Sequence, residues 1–189
     1  MDERLLEATT EVLAEWGWDG VTLERVAARA GRSRVTLWRQ GITREQLLDA
    51  LLARLADDFR ATMWPLLTSR GTGYDRLVRS ADALFDVLDR HLYLVLASDT
   101  IFHQTASSAS KVDFLEPFER FLREGTTDGS LELSGPVDDV ADVLMNALTW
   151  TYVHMRGRHR WARRRARRTV ADLVLAGLER AHPDEHARA

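Results

Sequence analysis

The chain has 189 residues, room for one domain or two small ones, and its 45% apolar and 29% charged content is that of an ordinary globular protein. It contains no cysteine, which excludes a disulfide framework and thiolate metal sites. Its longest stretch without Asp, Glu, Lys or Arg, Val143 to Met155, is 13 residues and too short to cross a bilayer. Charges at Asp2, Glu3, Arg4, Glu7 and Glu11 interrupt any signal-peptide core, so a soluble cytoplasmic protein with no membrane partner is expected.

The formal charge of -3 conceals a block pattern. Residues 1–24 carry a net -6, residues 25–44 carry +6 from six arginines and no acid, residues 45–155 carry -9, and residues 156–168 carry +8 from eight arginines. The total discourages a nucleic-acid partner, whereas two compact basic blocks invite one.

Helical periodicity runs almost throughout. Leu5, Leu6, Ala8, Val12, Leu13 and Trp16 share a face, and Gly17 stops the helix. Thr22 is a candidate N-cap with Glu24 in the first turn, opening a short helix through Leu23, Val26, Ala27 and Ala30 that ends at Gly31. Ser33 caps the next helix, through Val35, Leu37 and Trp38, which Gly41 ends. Thr43 with Gln46 makes a capping box for a longer helix through Leu47, Leu48, Leu51, Leu52, Leu55 and Phe59, with Pro65 near its end.

Beyond Gly71 and Gly73, Leu77, Leu84, Phe85 and Leu88 predict one helix, His91 to about Ser107 another, and Phe114 to Arg123 a third. Gly125 to Pro136 reads as a turn region. Val140, Leu144, Leu148, Tyr152 and Met155 form the stripe of a helix after Pro136, and Trp161 to Ala181 predicts the last one. No alternating strand pattern and no internal repeat emerges. The expected fold class is all-α, with a three-helix DNA-binding domain over residues 1–46, a helical domain over 47–182 and a tail over 183–189.

The most specific constellation spans Thr22 to Gln46. Two short helices joined by a tight turn at Gly31 have the form of a helix-turn-helix, whose second helix enters the DNA major groove. That second helix is too short to be stable by itself, so its neighbours must pack it. Arginine suits the task, because the guanidinium fork donates two parallel hydrogen bonds to phosphate or guanine. The alternative for the same charges is a solvated basic helix pair.

Residues 4 to 52 resemble the DNA-binding domain of the TetR family of bacterial transcriptional regulators. The likeness lies in Thr22-Leu23, Val26-Ala27, Ala30-Gly31, Ser33, Thr36-Leu37-Trp38-Arg39 and Arg44-Glu45-Gln46-Leu47-Leu48. The resemblance implies a homodimer that places its third helix in the major groove of a palindromic operator. It also implies a C-terminal domain that binds a small-molecule effector and releases DNA, with no cofactor. Five positions depart from the family pattern. Arg32 stands where a small apolar residue is common, and Val35 where Gly or Ala is. Gly41 stands where a buried Phe is usual, leaving Ile42 to fill the gap; Trp38 replaces the usual Tyr; Arg44 replaces the usual Lys at the start of the fourth helix.

On this resemblance, Arg34 and Val35 are candidates for base-edge contact, and Thr22, Arg32, Thr36, Trp38, Arg39, Gln40 and Arg44 for phosphate contact, with Ser33 among the DNA-binding residues. A ligand pocket draws on Met63, Trp64, Phe85, Leu88, Leu92, Phe102, His103, Phe114, Phe118, Met145, Asn146 and Trp150. The dimer interface draws on Val140, Leu144, Leu148, Tyr152, Leu173, Val174, Gly177 and Leu178. The second arginine block, Arg156 to Arg168, is assigned to an acid-paired or solvated surface rather than to a second nucleic-acid contact. Two other readings stay open: a helical interaction module with a degenerate reading head, and a helical-bundle enzyme. No phosphate loop, nucleophile elbow or helical metal-ligand spacing supports catalysis, and no enzyme is expected.

Overall fold

The computed structural model describes residues 1–97 and 113–178. Among these residues the regular elements are helices, with no strand and no helix long and apolar enough to cross a membrane. The chain divides into two compact units, one of Met1–Asp58 with Asp89–Val112, the other of Phe59–Leu88 with Asp113–Ala189.

The first unit holds α1 (Glu3–Trp16), α2 (Leu23–Arg29), α3 (Arg34–Arg39) and the first part of α4 (Arg44–Leu67). Its core is built by the predicted apolar spacings. Leu5, Ala8, Val12 and Leu13 of α1 meet Val26 and Ala27 of α2, Leu37 of α3, and Leu47, Leu48, Leu51 and Leu52 of α4. Residues 92–97 are helical, and Leu94 joins the same core. Asp2 caps α1 by accepting a 3.1 Å bond from the Leu5 N–H. His91 is almost wholly buried and its Nε2 lies 2.8 Å from Asp58 Oδ2. Burial pushes the imidazole below its ordinary value, against the opposing pull of the Asp58 carboxylate.

The second unit takes in the rest of α4, most of α5 (Gly73–Arg90), α6 (Glu116–Asp128), α7 (Val137–Gly157) and α8 (Arg163–Leu175). Phe85 stacks on Tyr152 with ring centroids 4.3 Å apart, and Phe118 meets Phe121 edge-on at 6.4 Å. The start of α5 is sealed twice. Thr72 and Asp75 cap each other reciprocally, and the Gly73 and Tyr74 amides donate to Asp128 Oδ2 at 2.7 Å and Ser130 Oγ at 3.1 Å. These bonds bring α5 and α6 so close that a Cβ on Gly73 would lie 2.2 Å from the Gly125 Cα.

Several boundaries differ from the sequence reading. Gly125 to Asp128, expected as turn, continue α6, which Gly129 ends at φ 79°. Glycine is needed at 125 because Leu131 folds back over it: its N–H donates to the Gly125 carbonyl at 3.0 Å, and a Cβ would meet Leu131 Cδ1 at 2.3 Å. The α4 helix runs on through Pro65 to Leu67, and α8 begins at Arg163 rather than Trp161. The far half of the helix expected from His91 to Ser107, and the tail 183–189, lie outside the described residues.

Part of the second arginine block is engaged within this unit, while Arg158, Arg160 and Arg164 are exposed. Arg167 pairs with Asp82 at 3.1 Å and also with Asp86, and Arg163 pairs with Asp86, so α8 is tied to α5. Burial works against the Arg167 charge, but hydrogen bonds to Asp86 and Tyr152 outweigh it and raise its pKa. Arg165 lies 3.7 Å over the Trp161 ring, and Arg156 Nη1 donates to the Trp161 carbonyl at 2.6 Å.

The contact of α5 with α6 generates a direct prediction. Replacing Gly73 with Ala forces a methyl into a backbone contact, so urea unfolding of the variant should show a loss of about 1–3 kcal/mol, the usual range for overpacking. An unchanged midpoint would mean that the helices can separate freely there.

Candidate nucleic-acid interface

The turn between α2 and α3 and the turn after α3 are built alike. In the first, Gly31 adopts φ 69°, the Arg32 N–H donates to the Ala27 carbonyl at 2.8 Å, and the Gly31 N–H to the Ala28 carbonyl at 3.1 Å. In the second, Gly41 adopts φ 68°, the Ile42 N–H donates to the Leu37 carbonyl at 3.0 Å, and the Gly41 N–H to the Trp38 carbonyl at 3.0 Å. Each is a Schellman termination, which favours a residue able to adopt left-handed φ just past the helix. Gly41 therefore ends α3, with no atom near its missing Cβ, and Ile42 packs against the core that holds Leu37.

The three helix starts are closed by the predicted caps. Thr22 Oγ1 accepts from the Arg25 N–H at 3.3 Å, and Ser33 Oγ accepts from the Thr36 N–H at 3.1 Å. Thr43 and Gln46 form the reciprocal box, with bonds of 3.1 and 3.2 Å. These caps compensate for helices too short to be stable in isolation.

Between its cap and its terminating glycine, α3 buries one side chain, Leu37. The rest of the helix faces solvent: Arg34, Val35, Thr36, Trp38 and Arg39 are exposed, with Val35 at 62% and Trp38 at 74%. Ser33 and Gln40, at its two ends, are exposed as well. A branched aliphatic and an indole are thus displayed openly on one short helix.

The six arginines of the first basic block are mostly engaged by the protein itself. Arg25 donates to the Gly20 carbonyl at 2.7 Å and lies 4.5 Å over the Trp16 ring. Arg29 pairs with Glu15 and, at 3.0 Å, with Glu11. Arg32 Nη1 lies 2.8 Å from Asp2 Oδ2. Desolvation would raise the Asp2 carboxyl, but the Leu5 N–H and the Arg32 guanidinium outweigh it and hold it below the usual carboxylate range. Arg34 Nη1 lies 2.6 Å from Glu24 Oε1. The half-buried Arg44 donates to the Trp18 carbonyl and stacks 4.2 Å over its ring. Arg39, on the exposed face, has no acidic partner recorded among the described residues.

The predicted DNA-binding residues thus lie together on α2, α3 and the turn into α4. Asp2 and Trp18, which seat Arg32 and Arg44, and Glu24, which meets Arg34, were not among them. Asp2 carried a readable signal as an acidic cap just ahead of the Leu5-Leu6 repeat, whereas the Trp18 seat depends on tertiary packing.

The other predicted sites are more dispersed. Met63, Phe85, Leu88 and Phe118 are buried in the second unit's core, Trp64, Phe114, Met145 and Trp150 are half-buried, and Asn146 is exposed. Phe114 packs edge-on against Phe59 at 4.8 Å. Leu92 lines a groove of about 710 Å³ in the first unit with Glu11, Arg54, Asp58 and His91. Phe102 and His103 lie outside the described residues. Of the expected interface, Leu144, Leu148 and Tyr152 are buried by their own chain and belong to its core. Leu173 and Gly177 are exposed, and Val140, Val174 and Leu178 half-buried.

Comparison with known proteins agrees with this geometry. Residues 5–51, the span from α1 into α4, match the model of the family described as bacterial regulatory proteins, tetR family. Over residues 5–51 the chain is a TetR-family DNA-binding domain. It is 28% identical over 155 residues to the HTH-type transcriptional repressor KstR of Mycolicibacterium smegmatis, covering 78% of this chain and 75% of that protein. The fold is shared with PfmR, a TetR family transcriptional regulator from Thermus thermophilus, at a TM-score of 0.77 and 18% identity, covering 95% of this chain and all of that one. It is shared too with the ketosteroid transcriptional regulator KstR2 of Mycobacterium tuberculosis, at a TM-score of 0.76 and 22% identity, covering 95% and 96% of the two chains. The Schellman end at Gly41 accounts for the glycine at that position.

The contrast between anchor and display can be measured by unfolding. Leu37→Ala should cost about 2–5 kcal/mol, as for other buried leucines, whereas Trp38→Ala should stay within about 0.5 kcal/mol of the parent. Equal losses would show that the indole is a packing residue.

Proposed function

We propose that the chain is a repressor that binds a palindromic operator as a homodimer and is released by a small molecule. The observation that carries this reading is the display on α3, where Arg34, Val35, Trp38 and Arg39 face solvent around a single buried anchor. Arg34 and Val35 read base edges from the start of the helix. Ser33, Thr36, Trp38, Arg39 and Gln40 meet sugar and phosphate, with Thr22, Arg32 and Arg44 holding the frame and reaching the backbone from its flanks. The KstR relative is named as a transcriptional repressor, which favours repression here.

The dimer forms through the outer faces of α7 and α8. Val143 at 70% and Leu173 at 76% exposure place apolar surface there, flanked by Val140, Val174, Gly177 and Leu178. The effector enters the second unit among Trp64, Phe114, Met145 and Trp150, whose half-buried aromatic and thioether surface suits an apolar small molecule. The protein acts in the cytoplasm, where operator DNA is found, as a regulator rather than an enzyme.

Selection of bound duplexes from a random pool with the full chain tests the reading. The expected outcome is an enriched palindrome whose binding weakens steeply with salt. On that operator Arg34→Ala should cost about 1–3 kcal/mol and relax one base position. Arg39→Ala should weaken all sequences alike and reduce the log–log salt slope by about 0.9. No enriched sequence, or binding insensitive to salt, would overturn it.

A further inference from the structure

We infer that Glu24 is a specificity-determining positioning residue that aims Arg34 at a guanine. The inference rests on the reading of α3 as the DNA-reading helix. Glu24 lies in the first turn of α2 and Arg34 opens α3; the carboxylate Oε1 stands 2.6 Å from Arg34 Nη1. Both side chains are more than half exposed, at 54% and 67%, so the pair adds little to folding. Its effect lies in where it leaves the rest of the guanidinium.

A guanidinium has two edges that can donate a pair of parallel hydrogen bonds. With Nη1 held by Glu24, the Nε and Nη2 edge remains, and among the described residues no acceptor is recorded on it. That edge matches the O6 and N7 acceptors of guanine. An unrestrained arginine at the tip of a short helix samples many rotamers and pays their entropy on binding, whereas one held by a neighbouring carboxylate has already lost it. The same carboxylate makes Arg34 a poor phosphate ligand, because its charge is already matched and a phosphate would sit near Glu24. A neutral base edge brings no such repulsion. Glu24 thus favours guanine over the backbone and raises the ratio of operator to non-specific binding.

A rival role makes the opposite prediction. If DNA had to strip Arg34 from Glu24, or if Glu24 only repelled phosphates, its removal would raise affinity for every duplex alike.

The test uses the full chain, the operator enriched by the wild-type protein, and a mixed-sequence duplex of the same length. Failure of the wild type to enrich any sequence sinks the DNA-reading assignment itself, independently of Glu24. Given an operator, Glu24→Gln should weaken operator binding roughly tenfold, the scale of one bidentate base contact, while mixed-sequence binding stays level or rises up to about threefold. Glu24→Asp keeps the charge but withdraws it by one methylene, and should lose discrimination as well. In an Arg34→Ala background, Glu24→Gln should change the ratio less than about twofold, since the two act as a unit. Equal gains on both duplexes, wild-type behaviour of Glu24→Asp, or an undiminished effect in the Arg34→Ala background would each overturn the inference.

Discussion

The reading head depends on the burial of Leu37. The α3 helix has six residues and contributes this one side chain to the core, where it meets α1, α2 and α4. A helix of that length has no stability of its own, so its position is dictated by the pocket that receives Leu37 and by the caps at Ser33 and Gly41. The constraint also frees the rest of the helix. Because one residue does the anchoring, Arg34, Val35, Trp38 and Arg39 can be selected for what they touch outside the protein. The two Schellman turns at Gly31 and Gly41 set where α2 and α3 end and so fix the direction in which that face points.

Charge in this unit is arranged to be cancelled locally. The acidic stretch of residues 1–24 supplies partners for the arginine block that follows it: Asp2 for Arg32, Glu11 and Glu15 for Arg29, Glu24 for Arg34. Arg25 and Arg44 lie over Trp16 and Trp18 instead. A block that reads in sequence as +6 therefore offers DNA a few cations rather than six, placed on a precise face. In the second block Arg163 and Arg167 pair with Asp82 and Asp86 in the same way. Net charge per segment indicates where to look, and pairing decides which arginines are available.

Local chemistry was legible in the sequence wherever it is set within a few residues. The caps at Thr22, Ser33 and Thr43 and the stops at Gly17, Gly31 and Gly41 follow from spacing and side-chain type, and they fall where expected. What depends on distant packing was not legible. Gly125 looks like a breaker but sits inside α6, because the close approach of Gly73 and the fold-back of Leu131 require its missing side chain. Leu144, Leu148 and Tyr152 make a stripe that could face a partner or the same chain, and only the stacking of Tyr152 on Phe85 decides for the chain's own core. The exposed Val143 next to that stripe could not be told from its buried neighbours by composition.

The exposed face of α3, and not the second arginine block, is the proposed contact with DNA. Hydrogen–deuterium exchange of the full chain, with and without the duplex it enriches from a random pool, tests it most directly. The expected result is new protection across residues 22–46 and unchanged exchange across residues 156–168. Protection confined to residues 156–168, with residues 33–41 exchanging as in the free protein, would contradict it.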